Sequence, residues 1–308
     1  MVHRRQDSDW DWPSQKAMAR PDGEWATRRP FARQPWWEPV PAGLAVQPEG
    51  ARPQGAPWSR FFAVHPRVEA VGVGSFGPLG LRAGSASRGH VTTTPKEGWA
   101  GVDLLGDLRA ALGVPVALDT DVNAAALAEG RHGAARGCDT FCYVTVGTGI
   151  GGGAVVNGRL LHGLVHPEVG HMRVPHDRAR DPFDGACPYH GDCLEGLASG
   201  TAIERRWGRR AEELSAEPDV WALESDYLAA GLANIVTILS PQLIVLGGGV
   251  TRAPSLLPLV RRRLRELLAG YLDAPELTRA DAIGRYVVAP ALGDRAGVIG
   301  AIELARAG

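Results

Sequence analysis

Two cysteines and a histidine crowd into seven residues of this 308-residue chain, as Cys187-Pro188-Tyr189-His190-Gly191-Asp192-Cys193. Thiols and an imidazole at two-residue gaps are the donor set of a tetrahedral zinc site, so one ion would tie the loop that carries them. The fourth ligand is open between His171 and His176. His171 is favoured because Glu168, three residues earlier, shares its side of the loop, so that ligand and carboxylate can serve one pocket. The other two cysteines, Cys138 and Cys142, flank an apolar strand and read as core packing.

The chain is long enough for a sizeable core in two lobes. Its net charge of -1 gives no reason to expect nucleic acid or an acidic membrane face as a partner. No apolar run reaches the ~20 residues that span a bilayer, and the acidic start, Asp7 to Asp11, lacks the apolar centre of a secretion signal. Four cysteines, two of them in a metal cluster, suit a reducing compartment, and a cytoplasmic location is expected.

Residues 1 to about 60 stand apart. They hold six of the nine tryptophans and nine of the twenty-three prolines, and neither a strand nor a helix period persists in them. They read as poorly ordered or mistranslated, and no helix-turn-helix can be drawn there. From Val68 onward the texture is α/β. Val68 to Gly74 reads as a strand running into the turn Ser75-Phe76-Gly77-Pro78. A loop from Thr92 to Trp99 precedes a helix from Gly101 to Leu112 and a strand from Val114 to Leu118.

Asp119-Thr120-Asp121 then opens a helix over Val122 to Gly133, which places Asp121 between a strand end and a helix start. An Asp there caps helices. In an open α/β sheet the same place collects ligands, so a capping and a catalytic role are compatible. Phe141 to Val146 is a strand, followed by the glycine-dense Gly147 to Gly153 and a second strand from Ala154 to Val156. Bare backbone N–H groups in such a turn suit a polyphosphate, although no Gly-Lys-Ser/Thr of a Walker loop follows. Downstream, Ala198 to Trp207, Asp219 to Leu239, Leu256 to Tyr271 and Ala296 to Ala307 read as helices. Leu243 to Leu246 and Tyr286 to Val288 read as strands, the first delivering Gly247-Gly248-Gly249. Arg261, Arg262, Arg263 and Arg265 read as the solvated face of their helix.

Taken together these motifs resemble the ROK sugar kinases, and most closely their bacterial fructokinase branch. The resemblance rests on Gly74 to Pro78, Thr94 to Trp99, Thr120 to Ala126, Gly147 to Gly151, His166 to Gly200 and Leu246 to Val250. His190 between the cysteines, where the glucokinases carry a third cysteine, and Thr120 before the aspartate favour the fructokinase branch. The resemblance implies an α/β, actin-like (ribonuclease-H-like) ATPase fold with two lobes around a cleft. Residues 61–118 would complete the small lobe, the C-terminal helix at 293–308 would pack back on it, and 119–292 would form the large lobe.

By the same resemblance Asp121 is the general base of phosphoryl transfer from MgATP to a hexose, D-fructose giving fructose 6-phosphate. Gly77, Pro78, Asn123, Glu168 and His171 would line the sugar site. Gly147, Thr148, Gly149, Gly151, Gly200, Gly247, Gly248 and Gly249 would meet the nucleotide. His171, Cys187, His190 and Cys193 would hold Zn2+, with ATP and Mg2+ completing the cofactors and a homodimer as the assembly. Two departures stand out: Thr201 replaces the family's proline, and the family's Asp/Glu-x-Gly-Gly-Thr-Lys phosphate turn does not occur upstream of Val68. A shifted reading frame or wrong start in GC-rich DNA would account for the second. If the segment is genuine, the chain is a catalytically impaired sugar-binding remnant of the fold.

Overall fold

The computed structural model describes residues 68–307; the expectations for residues 1 to about 60 lie outside them. The α/β class is observed. Strand β1 (Val71–Ser75) pairs in parallel with β2 (Val116–Thr120), and between them runs helix α1 (Leu104–Leu112). Asp103 starts α1 by accepting the Gly106 N–H at 2.9 Å, and Gly113 stops it in the left-handed region at φ 66°. The reading from Gly101 therefore begins three residues early, ahead of the cap.

Strand β2 ends at Thr120, whose hydroxyl accepts the Asn123 N–H at 3.1 Å and caps α2 (Asp121–His132). Thr120 thus does the capping, which leaves Asp121 at the first position of the helix. A five-stranded mixed sheet follows in the order β5-β4-β3-β6-β7. Its members are β3 (Phe141–Val146), β4 (Ile150–Val156), β5 (Arg159–Leu160), β6 (Leu243–Gly247) and β7 (Val287–Val288). Strand β3 is antiparallel to β4 and parallel to β6.

Most of the glycine run belongs to strand β4, so only residues 147–149 form the turn. Side chains are missing from β4 because its neighbours take their space. A Cβ on Gly151 would lie 2.9 Å from Val122, and one on Gly152 2.3 Å from Val169. The strand is thereby able to press against the start of α2 and the 3-10 turn Val169–His171 at once.

On the other face the core is built from α3 (Leu194–Ala198), α4 (Gly200–Trp207), α5 (Pro218–Leu239) and α6 (Leu256–Leu268). The expected single helix over Ala198 to Trp207 is interrupted because Ser199 caps α4, accepting the Ala202 N–H at 3.1 Å. Among the described residues α5 is the one helix long and apolar enough to cross a membrane. It instead supplies the core with Trp221, Leu228, Leu232 and Val236, each nearly inaccessible. Each such side chain contributes about 1.5–3 kcal/mol of burial. Arg261, read as solvated, does otherwise: its guanidinium donates to the carbonyls of Val287 at 2.8 Å and Gly284 at 3.2 Å, tying α6 to the end of the sheet.

Two four-residue helices, α7 (Pro275–Thr278) and α8 (Ile283–Tyr286), lead to β7, and α9 (Ala296–Ala307) closes the described chain. Helix α9 lies on β1 and α2: a Cβ on Gly72 would come within 1.7 Å of the Ala301 carbonyl, and one on Gly300 within 1.8 Å of the Ala124 carbonyl. Glu129 anchors this junction. Fully buried in α2, its carboxylate accepts the N–H groups of Ala134, Leu292 and Ala291 at 2.6, 2.9 and 3.2 Å. Glu129→Ala leaves three backbone donors without that acceptor. A loss of about 3 kcal/mol or more in denaturant unfolding is expected, against a loss within about 0.5 kcal/mol for an exposed control such as Glu276→Ala.

Candidate active site

The parallel pair and the five-stranded sheet meet where β2 hands over to α2. Asp121 stands there with its Oδ1 accepting the Val122 N–H at 2.8 Å. Its residue surface is open, yet protein crowds the carboxylate on most sides. Desolvation raises its pKa above the ordinary range, opposed by the Val122 N–H and by the ammonium of Lys96. Lys96 lies 3.5 Å from the centre of the Phe76 ring, and Phe76 meets Trp99 edge-on at 5.2 Å. Desolvation lowers the Lys96 pKa, and Asp121 resists that fall. A carboxylate of raised basicity beside a cation is suited to take up a proton.

Glu168 faces the same space. Burial first, then Glu195 and Asp121, push its pKa up to about 7, so three carboxylates share one region. Gly77 lies against it, since a Cβ there would come within 3.3 Å of Glu168 Oε1. The Gly77–Pro78 peptide is cis, and the Pro78 carbonyl accepts the Thr92 N–H at 2.8 Å. Glu195, absent from the sequence-derived set, accepts the Ile150 N–H at 2.9 Å at the base of the glycine turn. Its position two residues after Cys193 was a usable signal, because a ligand that fixes a loop also fixes what adjoins it.

Asn123 is buried beneath Asp121. Its amide nitrogen donates to Asp119 Oδ1 at 2.7 Å, and its Oδ1 has no partner. Asp119 also bonds the exposed His162, Nε2 to Oδ2 at 2.9 Å, and this raises the imidazole pKa. Asn123 accordingly sits behind the pocket wall, with its orphan oxygen buried against Gly153 of β4.

The turn Gly147-Thr148-Gly149 meets the start of α4. Gly147 and Thr148 carbonyls accept the Gly200 N–H at 2.7 Å and the Thr201 hydroxyl at 2.8 Å. Gly248, at φ 100°, packs on Val146, while Gly247 packs on Pro290; these two are glycine for reasons internal to the fold. Gly147 and Gly249 differ, for a Cβ on either meets nothing within 4 Å. Their bare backbone faces open space, as a phosphate cradle requires.

His171, Cys187, His190 and Cys193 bring one donor atom each within 4.8 Å of one another. Cys187 Sγ is 3.7 Å from His171 Nδ1 and 3.6 Å from His190 Nδ1, and Cys193 Sγ is 3.5 Å from His171 Nδ1. Metal–sulfur bonds of about 2.3 Å and metal–nitrogen bonds of about 2.1 Å at tetrahedral angles separate such donors by roughly 3.6 Å. The four residues therefore fit a tetrahedral ion. His176 is otherwise engaged, its nitrogens bonding the Asp181 carbonyl at 3.0 Å and Asp192 at 3.2 Å.

The crowding of carboxylates has a consequence for stability. Glu168 holds its proton more tightly folded than unfolded, so folding is favoured at low pH and loses that contribution as pH rises from about 4.5 to about 7. Glu168→Gln should raise the melting temperature at pH 8 and have little effect at pH 4. Thermal unfolding at the two pH values measures this; equal shifts at both would show that Glu168 ionises normally.

The chain is similar to known proteins in sequence and in fold. Residues 62–307 match the family model described as ROK family. The chain is 47% identical over 238 residues to a putative fructokinase of Bacillus subtilis, covering 77% of this chain and 79% of that protein. It is 45% identical over 243 residues to a fructokinase of Zymomonas mobilis, covering 77% of each. Among solved structures, the ROK hexokinase of Thermus thermophilus is 33% identical with a TM-score of 0.64, over 80% of this chain and 82% of that one. A ROK family glucokinase from Streptomyces griseus, in complex with glucose and AMPPNP, is 28% identical with a TM-score of 0.62, over 82% and 88%. In sequence and in fold, the chain belongs to the ROK family.

Proposed function

We propose that the protein is an ATP-dependent hexose kinase of the fructokinase branch, converting D-fructose to fructose 6-phosphate. The observation that carries the reading is the placement of Asp121, which shares a field with Glu168 on one side and, through Val122 and Gly151, adjoins the start of β4 just after the glycine turn on the other. Two relatives carrying the name fructokinase, at 45% and 47% identity, support the choice of sugar.

In this reading Asp121 takes the proton of the sugar hydroxyl as its oxygen attacks the γ-phosphorus of ATP, and ADP leaves. A positioned base of this kind contributes on the order of 10²–10⁴ in rate, and alignment and charge stabilisation supply the rest. Lys96 opposes the desolvation that raises the Asp121 pKa. Glu168 and the Gly77 turn orient the sugar. Gly147 and Gly249 admit the nucleotide, whose Mg2+ neutralises phosphate charge when bound. The His171, Cys187, His190 and Cys193 set would hold Zn2+, which shapes the loop beside Glu168 and takes no part in the chemistry. The four described cysteines are all free thiols, in keeping with a cytoplasmic setting.

A specific observation favours one alternative. The Asp/Glu-x-Gly-Gly-Thr-Lys turn expected of a ROK kinase does not occur in the sequence, and without it a chain of this fold would bind sugar yet transfer phosphate poorly. Coupled ADP release with fructose, glucose and mannose decides: turnover highest with fructose supports the kinase, and sugar binding without turnover supports the remnant. Asp121→Asn is expected to lower kcat by at least about 10²-fold with fructose binding retained by calorimetry. Near wild-type turnover would reassign the base. Cys193→Ser is expected to reduce bound zinc well below one ion per chain by elemental analysis; full stoichiometry would remove it from the ligand set.

A further inference from the structure

His166 lies outside the set of residues assigned above, yet it joins the two sides of the pocket. It is 6% exposed. Its Nε2 accepts the backbone N–H of Leu79 at 3.0 Å, a bond spanning 87 residues from the segment after β5 to the turn after β1. An acceptor nitrogen carries no proton, so the ring is neutral with its hydrogen on Nδ1. That nitrogen faces the Pro167 carbonyl at 3.3 Å and Glu168 Oε1 at 3.6 Å.

The contact is also matched in shape. A Cβ on Gly77 would stand 2.8 and 2.9 Å from two atoms of the imidazole, and 3.3 Å from Glu168 Oε1. Glycine at 77 and histidine at 166 are therefore one fitted pair, and the turn closes onto the ring without a side chain between them. The segment that carries His166 has a second anchor in the His162 bond to Asp119. Leu164 and Val165 between the two anchors are exposed, so the imidazoles attach this stretch where apolar burial does not.

We propose that His166 is a positioning residue that sets the spacing between the Gly77–Leu79 turn and the Glu168 carboxylate, and thereby the fit of the sugar. The proposal rests on the reading of the site as a hexose pocket. It assigns His166 no contact with the reacting atoms, since both of its nitrogens are taken. Burial lowers its pKa, against the pull of the Pro167 carbonyl and Asp119, with His162 adding to the fall; Glu168 is the carboxylate nearest the ring. The neutral form that the Leu79 bond requires is thus the form the site favours.

The test compares the full-length wild type with His166→Gln and His166→Ala. A glutamine Oε1 reaches the place of Nε2 and accepts the same N–H, whereas alanine leaves the Leu79 donor buried and unpaired. In His166→Ala the fructose KM should rise by about tenfold or more, with the ATP KM held within about twofold. His166→Gln should recover most of that loss. Hydrogen exchange at the Leu79 amide, which needs no catalysis, should quicken in the alanine variant and stay slow in the glutamine one. Equal rises in both KM values, an unchanged fructose KM, or failure of glutamine to restore it would overturn the proposal. Unchanged Leu79 exchange in His166→Ala would overturn the tether itself. A wild-type chain that neither binds nor turns over hexose, while Leu79 exchange responds as expected, would instead sink the functional reading and with it the sugar-fitting role, leaving only the tether.

Discussion

Close backbone approach around one strand underlies everything else in the site. Strand β4 passes Val122 with Gly151 and Val169 with Gly152, and Gly170 lets the 3-10 turn reach within van der Waals contact of the Ile150 carbonyl. A side chain at any of these positions would hold two segments apart by the width of a methyl group or more. Because they are glycine, the start of α2, the segment after Glu168 and the glycine turn converge on the same few ångströms. Asp121 comes with the first, Glu168 and His171 with the second, and the bare backbone of Gly147 with the third. The cost is conformational entropy of about 0.5–1 kcal/mol for each glycine within a strand. The well-filled core against the sheet, to which Val169 itself belongs, offsets it.

What that convergence produces is an electrostatic arrangement that does not favour the fold. Glu195 and Asp121 both push up the Glu168 pKa on top of its burial, while Lys96 and the Val122 N–H oppose the desolvation of Asp121. Elsewhere the protein treats buried carboxylates differently. Glu129 receives three backbone donors, and Asp181 is enclosed by Arg206, Tyr227 and His176. Satisfied carboxylates such as Glu129 and Asp181 thus mark joints of the scaffold. Glu224 is buried in α5 with its Oε1 unpartnered as well, so what sets Asp121 and Glu168 apart is that they share one region. Asp192, between His190 and Cys193, bonds His176, which in turn bonds the Asp181 carbonyl, so the loop is tied to α5 through Tyr227 as well as by its four donors.

Much of this was legible in the residues. The Cys-x-x-His-x-x-Cys spacing located the Cys/His group because its donors are near in sequence, and the preference for His171 over His176 rested on Glu168 being beside it. Asp121 could be placed because a strand followed by a helix is a local pattern. The extents of β3 and α9 were also readable, since their apolar periods are uninterrupted. Tertiary partners decided the remainder. Nothing local distinguishes glycines 151–153 as strand instead of turn, because the atoms that exclude side chains there belong to α2 and to Val169. Arg261 looks solvated on its own helix and is claimed by carbonyls more than twenty residues away. Lys96, Glu195 and His166 all act across distances that the sequence does not display.

The ROK assignment gives these long-range contacts a common frame: the actin-like fold brings the ends of two sheets together around a cleft. The central claim is that Asp121 stands between a hexose and a nucleotide. The most direct measurement is a crystal structure of the protein with fructose and AMPPNP. It should place the sugar hydroxyl about 2.6–3.2 Å from an Asp121 carboxylate oxygen and in line with the γ-phosphorus, with Glu168 bonded to the other hydroxyls and the phosphates over Gly147. A sugar bound away from Asp121, or a nucleotide whose phosphates avoid the glycine turn, would contradict it.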